Sequence, residues 1–249
     1  RVYNTKIFKL EEHTDRLFNS AKILDMKIPY SYDEIIEATK KLVSDQNIQN
    51  GYVRPFIWRG SEMMGVSAQN TKINVAIAIW DWPTYFDPDL KLKGIKLNIS
   101  KWQRPPQNSS PWESKAAGLY MICTLSKHQA EKEGYTDSLM LDHEGNIAEA
   151  TSANIFFKDE NNELHTPIPD SFLDGITRKT VIDLAKSKNI KIHERKISPS
   201  ELPNFKGCFI TGTAAEVTPV GHILDNSFEV CDLIKDLSSS YEKLVGKNN

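Results

Sequence analysis

Residues 82–91 (WPTYFDPDLK) carry two prolines and two aspartates and have no helical period. Proline fixes its own backbone and has no N–H to give to a helix or a central strand, so such a run separates folded units. We place a domain linker there, between a small N-terminal domain over 1–81 and a larger domain over 92–249. On the N-terminal side two strands precede two helices. The opening Arg1-Val2-Tyr3-Asn4 alternates like a strand and lacks the charged-then-apolar pattern of a signal peptide, and residues 6–10 return as its hairpin partner. Thr14 is placed to cap a helix with Leu17, Ala21 and Leu24 on one face, ending before Pro29, and residues 32–43 repeat that period through Ile35, Ile36, Ala38 and Leu42. Strands are predicted at 52–59 and 73–80.

Beyond the linker a strand at 94–97 runs into a Pro/Ser/Asn-rich loop, 104–111 (RPPQNSSP). Residues 113–133 are good helix formers and stop at Gly134. Strands at 138–141 and 147–157 flank a Glu144-Gly145-Asn146 turn and make a hairpin. A helix from about Thr177 to Lys188 and strands at 191–197 and 208–211 complete a mixed α+β chain without repeats.

Composition excludes several classes of function. The formal net charge is -2, so no global positive field recruits a nucleic acid. Cys123, Cys208 and Cys231 are odd in number and widely spaced, which reads as reduced thiols with neither a disulfide framework nor a zinc site. The most apolar stretch, 73–80, is interrupted by Asn74 and falls far short of the ~20 residues that span a bilayer. We therefore expect a soluble, cytoplasmic protein with no membrane or metal partner. His13, His128, His143, His165, His193 and His222 lack ligand spacing and read as surface or packing residues, and Met63-Met64 as adaptable packing.

Four local features carry chemistry. Lys115, in SKAAGLY with Tyr120 five positions on, stands among small residues where partial desolvation would make its amine nucleophilic; most lysines are simply solvated. Gly175-Ile176-Thr177-Arg178 opens a helix, whose N–H groups and dipole favour a phosphate, although an ordinary threonine cap has the same appearance. The turn Thr211-Gly212-Thr213-Ala214-Ala215-Glu216 offers N–H groups and hydroxyls to an anion, or is a tight strand-to-helix turn. Glu149 sits in the apolar run IAEATSANIFF, where a buried carboxylate needs a cation; the alternative is an edge-strand glutamate in water.

Taken together, EATSANIFF from Glu149, LHT at 164–166 and LDGITR ending at Arg178 resemble the signature of the class IV aminotransferases, the fold type IV pyridoxal-phosphate enzymes. HTDRLFNSAK around Arg16, YVRP at 52–55, SKAAGLY at Lys115 and TGTAAEVTP from Thr211 are similar to the branched-chain amino acid aminotransferases within that class. The resemblance covers essentially the whole chain. It starts downstream of the family's first strands, with Arg1 similar to the last residue of a Phe-Glu-Gly-Ile-Arg motif, so upstream sequence is expected to be absent from this one.

The resemblance implies two domains with pyridoxal 5′-phosphate in the cleft between them and the linker over its mouth. It implies that Lys115 carries the cofactor covalently, Tyr120 bonds its phenolic oxygen and Glu149 pairs with the pyridine nitrogen. Arg16, the backbone at Ile176 and Thr177 and the Thr213 hydroxyl would hold the phosphate. Tyr52 and Arg54 would meet substrate, Ala214 would present an N–H to the α-carboxylate, and Trp82 and Tyr85 would wall the side-chain pocket. The implied reaction is reversible transfer of an amino group from leucine, isoleucine or valine to 2-oxoglutarate, by a homodimer. These roles are physically consistent: a carboxylate keeps a ring nitrogen protonated, and an arginine with a helix N-terminus neutralises a dianionic phosphate. Arg54 precedes Pro55, which favours the extended backbone that aims a side chain off a strand. Rivals of the same fold are a D-amino acid aminotransferase and an aminodeoxychorismate lyase, against which the YVRP and TGTAAE segments weigh. A rival of another class is a catalytically silent, incomplete homologue.

Overall fold

The structure, a computed structural model, describes residues 1–82, 85 and 88–247. The described residues gather into two compact units, one from the spans 1–83 and 113–116 and the other from 84–112 and 117–249. Four residues of the expected linker, 83, 84, 86 and 87, lie outside the described residues, as do 248 and 249.

In the first unit β1 (Val2–Tyr3) and β2 (Lys6–Ile7) form a hairpin, followed by α1 (Leu10–Ile23), α2 (Tyr32–Asp45), β3 (Gly51–Arg59) and β4 (Ile73–Asp81). The four strands pair in the order β2-β1-β3-β4. β2 is shorter than expected because α1 starts at Leu10, four residues before Thr14. Thr14 caps nothing: its Oγ1 donates to the Leu10 carbonyl one turn back. Ser31 caps α2 in a reciprocal capping box with Glu34. Val2, Val43 and Ile48 form a small core beneath the sheet. In the loop between β3 and β4 Met64 is fully exposed and so does not serve the expected packing, while Met63 is 41% exposed.

The second unit begins with α3 (Pro88–Lys93), a short helix in a stretch whose sequence has no helical period; Pro88 stands at its first turn, where a missing N–H is harmless. Then come β5 (Ile95–Ile99), α4 (Met121–Lys132), β6 (Asp137–Leu141), β7 (Ile147–Ala150), β8 (Asn154–Lys158), β9 (Leu164–Thr166), α5 (Ile176–Ser187), β10 (Ile192–Glu194), β11 (Gly207–Gly212), β12 (Glu216–Ile223), β13 (Asn226–Ser227) and α6 (Asp232–Leu244). The strands pair in the order β10-β9-β8-β11-β12-β5-β6-β7, with β13 beside β12. Parallel neighbours need long crossovers. α4 supplies the one between β5 and β6, and α5 the one between β9 and β10. β7 and β8, five places apart in the pairing order, are joined by a three-residue bend, so the sheet between them curls back on itself. Ile95, Leu97, Leu139, Ile155, Phe157 and Ile210 belong to the apolar cluster that fills this unit.

The predicted single strand over 147–157 is therefore two strands about a bend. The expected helix over 113–133 is also divided. Residues 113–116 are irregular, 117–120 form a 3-10 turn, and α4 starts only at Met121.

Candidate active site

In the first unit α1 presents His13, Arg16 and Ser20 at intervals of three and four residues, hence along one side of the helix. Arg16 Nη2 lies 3.3 Å from His13 Nδ1. A guanidinium only donates, so Nδ1 accepts and the imidazole is neutral. Burial, and then the positive charges of Arg16, Lys115 and Lys9 among others, holds that ring well below its ordinary pKa. One turn on, Ser20 secures the segment that bears Lys115: its Oγ accepts the Lys115 N–H at 3.0 Å, and its carbonyl accepts the Ser114 hydroxyl at 3.3 Å. Lys115 thus stands in an irregular segment and not at a helix opening, because Ser114 and Lys115 direct these donors to α1. Lys115 is exposed, where partial desolvation was expected, and its charge is among those that hold the His13 ring down.

The β3–β4 register sets Tyr52 opposite Trp80. Their rings lie 5.2 Å apart, and Trp82 joins them at 5.0 Å from Tyr52 and 5.8 Å from Trp80. Arg54, two residues from Tyr52 and so on the same face of β3, lays its guanidinium 5.9 Å from the Tyr52 ring and 5.5 Å from the Trp80 ring. Tyr52, Arg54 and Trp82 are brought together as one aromatic wall with a cation resting on it. Trp80 completes that wall. Its sequence context is an ordinary alternating strand, so only the register reveals it.

In the second unit Glu149 is buried on β7, opposite Met140 of β6. Arg104 Nε stands 3.6 Å from its Oε1, and the Asn154 amide donates to its Oε2 at 3.4 Å. Arg104 is itself buried, donating to the Ser171 carbonyl from Nε and to the Leu119 carbonyl and Cys123 Sγ from Nη1. Burial first, and the Glu149 charge next, pushes the Cys123 thiol up to about 11, so it stays protonated beside the pair. Neither Arg104 nor Asn154 was visible as a site residue: one stands in a Pro-rich loop, the other between the small residues Thr151-Ser152-Ala153 and the apolar Ile155-Phe156-Phe157.

α5 opens at Gly175, which has no side-chain cap, and Ile176 and Thr177 are buried. The first N–H groups of a helix have no acceptor within it. Arg178 is 2% exposed and joins Asp174, Glu194 and the Pro167 carbonyl, which makes it a tie within the fold. Thr213 and Ala214 lie half-buried in the turn that joins β11 to β12; it leads to a strand and not to a helix. Near it the buried Thr211 Oγ1 has no hydrogen-bond partner. Tyr120 ends the 3-10 turn before α4, and Tyr85 is exposed with Ser152 in hydrogen-bonding reach.

The donor sets suit a particular kind of cofactor. The cations Arg16 and Lys115 beside neutral His13 fit an anion such as phosphate, and the first N–H groups of α5 fit the same chemistry. A buried carboxylate backed by arginine and asparagine fits a basic ring nitrogen. Among the described residues no group of three His, Cys, Asp or Glu side chains could hold a metal ion.

The model of the family "Amino-transferase class IV" matches residues 1–223. The chain belongs to the class IV aminotransferases. It is 41% identical over 250 residues to a probable branched-chain-amino-acid aminotransferase of Rickettsia felis, covering 98% of this chain and 84% of that protein. Among solved structures it is similar to the T.th. branched-chain amino acid aminotransferase with pyridoxamine 5′-phosphate, at TM-score 0.95 and 33% identity, covering 100% of this chain and 84% of that one. The same enzyme complexed with N-(5′-phosphopyridoxyl)-L-glutamate matches at TM-score 0.92 with the same identity and coverage.

Proposed function

We propose that the chain moves the amino group of L-leucine, L-isoleucine or L-valine to 2-oxoglutarate, using pyridoxal 5′-phosphate carried on Lys115. The observation that carries this reading is Arg54 laid on the Tyr52, Trp80 and Trp82 wall, because a pocket for both substrates needs apolar surface and a cation together. The relatives' names and the phosphopyridoxyl-glutamate complex of the T.th. enzyme support it.

The cofactor supplies an electron sink, a ring that accepts the pair released when the α-proton leaves. The protein's own residues do the rest. Glu149, held by Arg104, keeps a proton on the ring nitrogen. Arg16, the N–H groups of Ile176 and Thr177 and the Thr213 hydroxyl hold the phosphate, while Tyr120 bonds the phenolic oxygen. The Lys115 Nζ carries the proton to and from the substrate Cα. The Ala214 N–H orients the α-carboxylate, and Trp82 and Tyr85 wall the side-chain pocket. In this reading residues 1–81 and 92–249 are the two domains, 82–91 connects them, and the enzyme works as a cytoplasmic homodimer. Among the described residues no helix is long and apolar enough to cross a membrane.

Borohydride reduction of the cofactor-loaded protein followed by peptide mapping is expected to place the pyridoxyl group on Lys115; a label on another lysine overturns that assignment. Assays of L-leucine, D-alanine and aminodeoxychorismate side by side are expected to show turnover of L-leucine alone. A visible cofactor band without turnover of any of the three would favour a silent homologue.

A further inference from the structure

Asn154 is 4% exposed, yet its side chain is fully engaged. Its Oδ1 accepts the Gly175 N–H at 3.2 Å, and its Nδ2 donates to the Leu173 carbonyl at 3.0 Å and to Glu149 Oε2 at 3.4 Å. The orientation of the amide follows from its partners, since an N–H must meet oxygen and a carbonyl must meet an N–H. One side chain therefore spans from the carboxylate on β7 to the N–H of Gly175, the residue at which α5 opens.

We propose that Asn154 is a positioning residue that fixes Glu149 and the Gly175–Thr177 turn in one register, setting the span between the partner of the ring nitrogen and the cradle for the phosphate. The inference rests on the functional reading above. Regular structure does not supply this register. Glu149 is separated from Asn154 by the bend at 151–153, and residues 167–175 between β9 and α5 belong to no helix or strand. The glycine belongs to the device. A Cβ at position 175 would lie 2.3 Å from Asn154 Oδ1, so any side chain there drives the amide off its acceptor position. Arg104 stands on the carboxylate's other oxygen, its Nε 3.6 Å from Oε1 while the Asn154 amide meets Oε2.

The test uses apoenzyme reloaded with pyridoxal 5′-phosphate, read by the visible band as a function of pH. Asn154→Ala and Gly175→Ala are each expected to weaken cofactor affinity about tenfold or more, the size set by loss of a hydrogen bond to a charged group. Together they should cost no more than the larger single loss, because both break the same link. Additive losses overturn the proposal, and so does a lowered melting temperature with unchanged affinity. Asn154→Asp keeps the acceptor for Gly175 but sets a second carboxylate against Glu149. It is expected to add a pH dependence of affinity that disappears in Asn154→Asp/Glu149→Gln; a profile that tracks the wild type overturns the link to Glu149. Failure of the wild-type protein to develop any band would instead overturn the cofactor reading.

Discussion

Two buried carboxylates of the second unit stand in contrasting surroundings. Glu149 has an arginine at 3.6 Å, whereas among the described residues Asp137, at the start of β6, has Thr151 Oγ1 at 2.6 Å and the Ser138 N–H at 2.8 Å within hydrogen-bonding distance, both on Oδ1. Burial outweighs the Lys127 charge and these bonds, and raises the Asp137 carboxyl above its ordinary value of 3.8. A raised carboxyl pKa means that the folded state binds the proton more tightly than the unfolded chain. Stability therefore falls as pH rises from 3.8 through the folded-state value, and the full cost is present above it. Asn keeps an oxygen for both donors and removes the buried charge. Asp137→Asn is expected to raise the melting temperature at neutral pH by about 2–4 °C, for a gain on the order of 1 kcal/mol. The advantage should shrink to nothing as pH approaches 3.8. Thermal melts of both proteins across that range check this, and a lower melting temperature at neutral pH would show that the pairing with Lys127 dominates.

At the scale of elements, the segment 113–116 belongs by its contacts to the first unit, while the helix that follows belongs to the second. Ser20 of α1 binds it twice, through Oγ and through its carbonyl. Ser20→Ala removes only the acceptor for the Lys115 N–H. We expect kcat to fall about tenfold while the melting temperature falls by no more than about 2–4 °C, since one neutral hydrogen bond contributes about 0.5–1.5 kcal/mol and the Ser114 contact remains. An unchanged kcat would mean that Ser20 holds the segment without aiming the lysine. Propensity could not foresee this. Residues 113–120 read as helix formers, but the tertiary bonds of Ser114 and Lys115 override that preference. Where a period reflects packing on a neighbour, as in α2 and along β3 and β4, the sequence reading and the fold agree within two residues. The bend at 151–153 is hidden in the sequence because the small residues Thr151, Ser152 and Ala153 stand between two apolar stretches that read as one strand, and β9, β12, β13 and α6 were not predicted from periodicity.

For the whole molecule, the class of the chain was legible because spaced motifs survive in order from Arg16 to Thr213, while the supporting groups were not. Arg104, Asn154, Ser20 and Trp80 act through distances that close only on folding. The same limit governs substrate choice. A transaminase of this kind must accept an apolar side chain and a carboxylate in alternate half-reactions, and an unpaired charge is costly in apolar surroundings. Some cation must serve the carboxylate and then be put aside. A hydrogen-bonded rest position for Arg54 is the natural expectation, given the nearby Tyr52 hydroxyl. The structure instead rests the guanidinium against two rings, at 5.9 Å from Tyr52 and 5.5 Å from Trp80. Such contacts contribute only about 0.5–1 kcal/mol at an exposed site, so leaving them for a substrate carboxylate costs little. Arg54→Met keeps apolar bulk on that wall and removes the charge. It is expected to raise KM for 2-oxoglutarate about thirtyfold, for a charge-assisted contact of about 2 kcal/mol, with KM for leucine nearly unchanged. Steady-state kinetics of the two half-reactions check this. Equal losses for both substrates would place Arg54 on the shared α-carboxylate. Arg59 cannot readily replace it in the glutamate role, since its guanidinium already donates to the carbonyls of Leu24, Asp25 and Ala68.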